Sequence, residues 1–317
     1  MCIRDSPYPF TRIRLFTVLK NNFNVVCSFS GSSCIIFATY IGIEPVIRLL
    51  FLASAFILCS IVSASDLILP DSQQTPGGVA NINLGPATNK PSASLNDIPV
   101  AIVKIGDDYN ALVGIPLSTK PGWHALQVST SDGSKDYEFE VVHKDYPEQH
   151  ITIKNKREVK PNETDMVRIR KDRTSIANAK RYRHKEILGL RFDVPVEGIR
   201  SSSFGSRRFF NNQPRRPHGG MDIAAPEGTP IYAPANGYVI ESDDYFFSGK
   251  CIFLGHGEGL QTFYAHLSKI DVTAGEFVTR GQKIGEVGAT GRVTGAHLHW
   301  SVGLNRTWVD PELFLQK

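Results

Sequence analysis

The stretch Gly275–Trp300, GEFVTRGQKIGEVGATGRVTGAHLHW, places a glycine every few residues between short apolar runs. No 3.6-residue apolar period survives that punctuation, so the segment reads as short strands joined by tight turns. It closes on His297-Leu298-His299-Trp300. Side chains two apart on a strand share a face, so His297 and His299 project together while Leu298 and Trp300 turn toward packing. Two imidazoles on one face are a start for a metal site, although a single His-x-His on a strand is more often packing or surface.

The same texture extends outward on both sides. From Phe192 onward come PIYAPANGYVIESD, KCIFLGHG, QTFYAHLS, FVTRGQKIGEVG and HLHWSVGL, an all-β pattern with five histidines: His218, His256, His266, His297 and His299. Upstream, RPHGGMDIAAP (Arg216–Pro226) sets His218 and Asp222 four apart around Gly219 and Gly220. Alone it reads equally as a turn. The glycines can fold the backbone so that both side chains reach one ion. A His-Asp-His set offers three nitrogen and oxygen ligands and leaves a fourth tetrahedral position for water, the open geometry of a catalytic zinc.

The order His-x-x-x-Asp, Tyr-Ala-His-Leu, His-Leu-His within this glycine pattern resembles the LytM/lysostaphin-type zinc metallopeptidases over about residues 190–315. The likeness includes SSSFGSRR, LGHGEGLQTFYAHLS and the closing WVDPELFL. The upstream region resembles the accessory N-terminal part of Gram-negative members. The resemblance implies that His218, Asp222 and His299 hold one Zn²⁺ per chain, and that His266 and His297 are the catalytic imidazoles. Zinc lowers the pKa of water and polarises a peptide carbonyl. His297 is then expected as general base and proton donor to the leaving amine, with His266 holding the oxyanion; the two roles are exchangeable at this level. The implied substrate is the peptide cross-link of peptidoglycan, at D-alanyl–diaminopimelate bonds rather than glycyl–glycine bridges, in the periplasm or cell envelope. His256 is expected to be structural or groove-lining. The loops RRFFNNQPRRPH and TGRVTGAH are expected to flank the cleft, with Arg207, Arg208, Arg215 and Arg216 either meeting peptide carboxylates or serving as solvated loop charge.

The rest of the chain is read around this domain. Residues 1–64 carry five of the 35 basic residues and two of the 31 acidic ones, which leaves the remainder near neutral and gives no case for nucleic acid. VIRLLFLASAFILCSIVSAS, with Arg48 before an apolar run and Val62-Ser63-Ala64 after it, reads as a secretory signal over 46–64; the run is shorter than the roughly 20 residues a membrane span needs. Residues 1–45 are expected to be an artefact or untranslated leader, because MCIRDS translates a common sequencing-adapter end. An extended Pro/Gly/Ser/Asn-rich segment is expected over 65–97. A small immunoglobulin-like β-sandwich follows over 98–160, from IPVAIVKIG, YNALVGIPL, HALQVST, DYEFEVV and HITIK. A solvated, basic linker helix is expected over 161–189, capped by Asn162 or Thr164. Its Arg168, Arg170, Lys171, Lys180, Arg181 and Arg183 offer an alternative contact to an anionic polymer. His124, His143 and His150 read as structural, and Cys251, the lone cysteine of the later chain, as a small buried hydrophobe.

Two other functions compete. A metal-free relative that activates a cell-wall amidase would also be a partner-binding regulator, but the intact histidines and Asp222 argue against it. A lipoyl or biotinyl carrier barrel matches the two glycine-rich hairpins, yet it lacks an acceptor lysine at a hairpin tip and leaves the histidines unexplained. The sequence leaves open the oligomeric state and any regulatory partner.

Overall fold

The computed structural model describes residues 23–30, 33–40, 67–131, 133–153 and 156–316. The chain divides into two compact units, Met1–Ser65 and Asp66–Lys317. In the first, β1 (Phe23–Ser30) pairs antiparallel with β2 (Ser33–Tyr40). The stretch 46–64, read as a secretory signal, lies outside the described residues.

The second unit begins with seven strands: β3 (Val79–Pro86), β4 (Ser92–Leu95), β5 (Ile98–Pro99), β6 (Ala101–Ile105), β7 (Asp108–Gly114), β8 (Gly122–Thr130) and β9 (Gly133–Val141). They form two antiparallel sheets, β3-β7-β6 and β5-β4-β8-β9. The segment read as extended therefore carries β3 and β4. VANINLGP and SASL are weak strand formers by composition, and their pairing with β7 and β8 makes them strands. The two sheets enclose Ala80, Ile102, Ala111, Val113, Leu126, Val128 and Phe139. The other face of β3-β7-β6 is buried as well, because Val79, Ala101, Val103 and Leu112 join the core of the following domain. That double burial explains the unbroken apolar runs AIV and ALV, where a half-exposed strand would alternate. Gly114 passes so close to Leu304 that a Cβ would lie 2.9 Å from its carbonyl oxygen.

The chain then runs through β10 (Glu148–Ile151), a short helix α1 (Lys156–Val159) and helix α2 (Glu163–Ala179). HITIK, expected as a sandwich strand, instead contributes to β10, which pairs in parallel with a strand of the C-terminal domain. Asn162 caps α2, accepting from the Asp165 amide while the Asp165 carboxylate accepts from the Asn162 amide. The helix ends at Ala179, ten residues short of the expected 189. It is not merely solvated: Ile169, Asp172 and Ala179 are buried, and Asp172 accepts from the Phe246 amide.

The C-terminal domain consists of β11 (Ile199–Ser202), β12 (Arg207–Phe210), β13 (Gln213–Pro214), β14 (Met221–Ala224), β15 (Pro230–Tyr232), β16 (Gly237–Tyr245), β17 (Gly249–Gly257), β18 (Leu260–Ile270), β19 (Phe277–Val278), β20 (Lys283–Val287), β21 (Leu298–Leu304) and β22 (Thr307–Val309). Its main sheet has the order β11-β14-β21-β18-β17-β16-β19, extended by β15, β20 and β22. One face buries Tyr264, Leu298, Trp300, Ile252 and Leu254 in the principal core. The opposite face carries Phe253, Phe263, Ala265 and Cys251, on which Ile176 and Ala179 of α2 pack. Cys251 is thus the small buried apolar group its sequence context suggested, its thiol pushed up by burial. The fold is mostly β, as the glycine-spaced strands required. No helix among the described residues is long and apolar enough to cross a membrane.

Candidate metal centre

Asp222 and His299 face each other directly on the neighbouring antiparallel strands β14 and β21. Directly opposed residues on one sheet face are close enough for their side chains to meet. His218 enters from the loop before β14, where its amide donates to the Ser206 carbonyl and its own carbonyl accepts from Gly205. Gly219 and Gly220 make this approach possible through space. A Cβ on Gly219 would stand 2.8 Å from the Trp308 ring, and one on Gly220 2.3 Å from the Trp300 carbonyl oxygen. Neither has a positive φ, so the HGG pair is required for close packing rather than for a left-handed turn.

Three atoms converge. His218 Nε2 lies 3.0 Å from Asp222 Oδ1, His299 Nδ1 lies 2.8 Å from the same oxygen, and the two nitrogens are 2.9 Å apart. His218 Nδ1 donates to the Ser203 carbonyl at 2.9 Å, which fixes the neutral tautomer with the Nε2 lone pair turned inward. His299 Nε2 is engaged by Ser301 Oγ at 2.9 Å, which leaves Nδ1 for the cluster. Lone-pair atoms at this spacing need a cation or a shared proton among them. A nitrogen-nitrogen-oxygen donor set suits an ion bound at about 2.0–2.2 Å. Burial lowers the His218 pKa to about 4. Burial alone would raise the Asp222 carboxyl, but hydrogen bonding with His218 and His299 holds it well below the usual carboxylate range. At neutral pH the cluster therefore sets a neutral His218 imidazole beside an ionised Asp222 carboxylate, the protonation states a metal requires of these two groups.

His297 and His266 flank it. His297 donates from Nδ1 to the Gly295 carbonyl at 2.9 Å and turns Nε2 toward the cluster, 3.9 Å from Asp222 Oδ1. His266 donates from Nδ1 to the Thr290 carbonyl at 2.9 Å, and its ring centroid lies 4.9 Å from that of His297. In both rings Nδ1 is thus taken by a backbone carbonyl. Strict alternation along β18 would send His266 to the core side with Tyr264. A register shift between Lys250 and Ile252 of β17 leaves an extra residue in β18, and His266 adopts φ 69°. The bulge re-aims the imidazole to the face of Ala265 and His299 while Leu267 returns to the core. Burial, followed by the neighbouring His299 and His297, lowers the His266 pKa to about 3.

The other sequence candidates fall elsewhere. His256 does not line the groove. It is fully buried, with Nδ1 on the Asn236 carbonyl and Nε2 on Thr262 Oγ1, each at 2.8 Å. His124 and His143 engage Lys120 and Asp145, and His150 stacks on Phe209. Arg207 pairs with Glu148 and Arg215 with the Val159 carbonyl, whereas Arg216 stays exposed. Arg208, read as a substrate or loop charge, instead binds Asp222 Oδ2. On the helical segment, Arg168 pairs with Asp244, Arg183 with Glu258, and Lys180 lies 3.7 Å over the Trp308 ring. Arg170, Lys171 and Arg181 are exposed.

Residues 216–311 match the model of Peptidase family M23, and residues 72–144 that of the Peptidase family M23 N-terminal domain. Peptidoglycan DD-endopeptidase ShyA of Vibrio cholerae is 42% identical over 113 residues, 35% of this chain and 26% of that protein. DD-carboxypeptidase/endopeptidase Mpg of Neisseria meningitidis is 40% identical over 111 residues, again 35% and 26%. The chain thus aligns with about a quarter of the length of these curated relatives. A solved Pseudomonas aeruginosa structure assigned to peptidase M23 is 41% identical with a TM-score of 0.66, covering 77% of this chain and 95% of that one. With both of its blocks matched and that structure aligned over nearly its whole length, the chain belongs to peptidase family M23.

Proposed function

We propose that the protein is a zinc metalloendopeptidase that hydrolyses the peptide cross-links of peptidoglycan, at D-alanyl–diaminopimelate bonds, in the periplasm. The observation that carries the reading is the convergence of His218 Nε2, Asp222 Oδ1 and His299 Nδ1 beside two further imidazoles, His266 and His297, each held through Nδ1 by a backbone carbonyl. The substrate class rests on the relatives named as peptidoglycan DD-endopeptidases. His218, Asp222 and His299 would hold the ion. When bound, zinc supplies Lewis-acid polarisation of the scissile carbonyl and an acidified water.

The remaining work falls to the chain. His297, with Nε2 facing the cluster, accepts the proton of the attacking water and returns it to the leaving amine. His266, held rigidly by the Thr290 carbonyl and the bulge, orients the reacting carbonyl oxygen and the charge that develops on it. A non-hydrolytic amidase activator is not favoured, because every residue of the constellation is present and assembled.

The test is product analysis. The chain from Ser65 is incubated with purified cross-linked peptidoglycan, with and without chelator, and muropeptides are resolved by mass spectrometry. Dimers converted to monomers only in the presence of zinc are expected. Intact dimers with a zinc-loaded, folded chain would remove the endopeptidase reading.

A further inference from the structure

We propose that Arg208 is a positioning residue of the metal centre. It holds Asp222 by its outer oxygen so that Oδ1 alone faces His218 and His299, and β10, through Gln149, is a built part of that support. The proposal rests on the metal-centre reading above but not on turnover. Arg208 lies in β12, and its guanidinium has three inward contacts: Asp222 Oδ2 at 2.5 Å, Gln149 Oε1 at 3.0 Å and Ser202 Oγ at 3.3 Å. The side chains of Arg208 and Asp222 are 16% and 11% exposed, so the pair is largely shielded from solvent.

Ser202 completes the network. Its hydroxyl donates to Gln149 Oε1 at 3.2 Å and sits 3.3 Å from His218 Nδ1. Two of the three ligands are therefore braced by one connected set, His218 through Ser202 and Asp222 through Arg208. A planar guanidinium fork fixes direction as well as charge, and a half-buried fork with all its partners in place is costly to rotate. Without it, Asp222 is free to turn or to offer both oxygens.

Gln149 reaches this network because β10 pairs in parallel with β12, with Gln149 opposite Arg208. Gln149, Ser202 and Arg208 all lie between the two matched blocks, 72–144 and 216–311. The support thus comes from residues outside both matched blocks.

The experiment uses the full chain and measures zinc affinity by competition with a chromophoric chelator, together with the visible absorption of the cobalt(II)-loaded protein. Arg208→Met is expected to weaken zinc binding about 10- to 100-fold, the range typical for partners that orient metal ligands, and to alter the cobalt spectrum as Asp222 changes its mode. Arg208→Lys, which keeps the charge without the fork, should recover only part of the affinity, and Gln149→Leu should weaken binding severalfold. Thermal unfolding of each metal-free variant checks that it is folded. Zinc affinity and a cobalt spectrum unchanged in folded Arg208→Met overturn the proposal, as does tighter binding. Wild-type affinity with reduced turnover also overturns it and assigns Arg208 to substrate. A wild-type chain that binds zinc with these dependences yet leaves peptidoglycan intact overturns the proposed function alone.

Discussion

His218 and His256 are both almost sealed from solvent, both on β-rich scaffolding, and both held neutral by burial with a pKa lowered to about 4. They differ in where the second nitrogen goes. His256 spends both nitrogens on internal partners, the Asn236 carbonyl and Thr262, and packs at a tilt against the Phe192 ring. His218 spends one on Ser203 and aims the other at a carboxylate and a second imidazole. Depth and a lowered pKa therefore do not separate a structural histidine from a ligand. What sets His218 apart as a candidate ligand is a second nitrogen that converges with Asp222 and His299.

Substitutions sharpen that contrast. His299→Ala removes one of the three converging atoms and should abolish both zinc retention, measured by elemental analysis, and muropeptide cleavage. His266→Ala should leave zinc content intact and lower the cleavage rate by about 10²- to 10⁴-fold, the usual range for a positioned acid–base group. Loss of metal in that variant would show that the bulge places a ligand rather than a catalytic group.

His256→Asn should leave both zinc and turnover near wild type while changing the response to acid. The folded pKa of His256, about 4, is below the ordinary 6.5, so the unfolded chain binds more protons between these values and stability falls as pH drops through that window. The stability advantage of the wild type over His256→Asn should shrink by up to about 3 kcal/mol from pH 6.5 to pH 4, as read from denaturant unfolding. An unchanged advantage means that the imidazole is not held neutral. The smallest effect is expected from Ser301→Ala, which removes the partner of His299 Nε2 and should weaken zinc affinity about tenfold in a chelator competition.

Much of the centre was legible because strand alternation has only one answer. His297-Leu298-His299-Trp300 puts two imidazoles on one side, and Leu298 and Trp300 are indeed fully buried on the other. His218 and Asp222 could be paired with them only through the downstream His-Leu-His and the family resemblance, since HGGMD alone reads equally as a turn; that its glycines serve close packing emerged from the structure. His266 was identified from its family context, but its direction was not legible. A positive φ on a histidine is imposed by the β17 register, and local sequence does not encode it. Arg208 was visible as a charge but not as a brace, because its partner Gln149 lies 59 residues away and meets it only through a parallel pairing. The packing of α2 was missed for a related reason. Its buried side includes Asp165 and Asp172 as well as Ile169 and Ala179, so the apolar stripe is too thin to show in the sequence.

The sheet β3-β7-β6 is shared between two cores, with Ala111 and Val113 on one side and Leu112 on the other. Pulling the N-terminal module away would wet Val79, Ala101, Val103 and Leu112 together. The two matched blocks are consequently expected to unfold as one cooperative unit, not as beads on a string. Backbone amides of β7 should exchange with deuterium as slowly as those of β18, the strand that carries His266, and heating should melt both in a single transition.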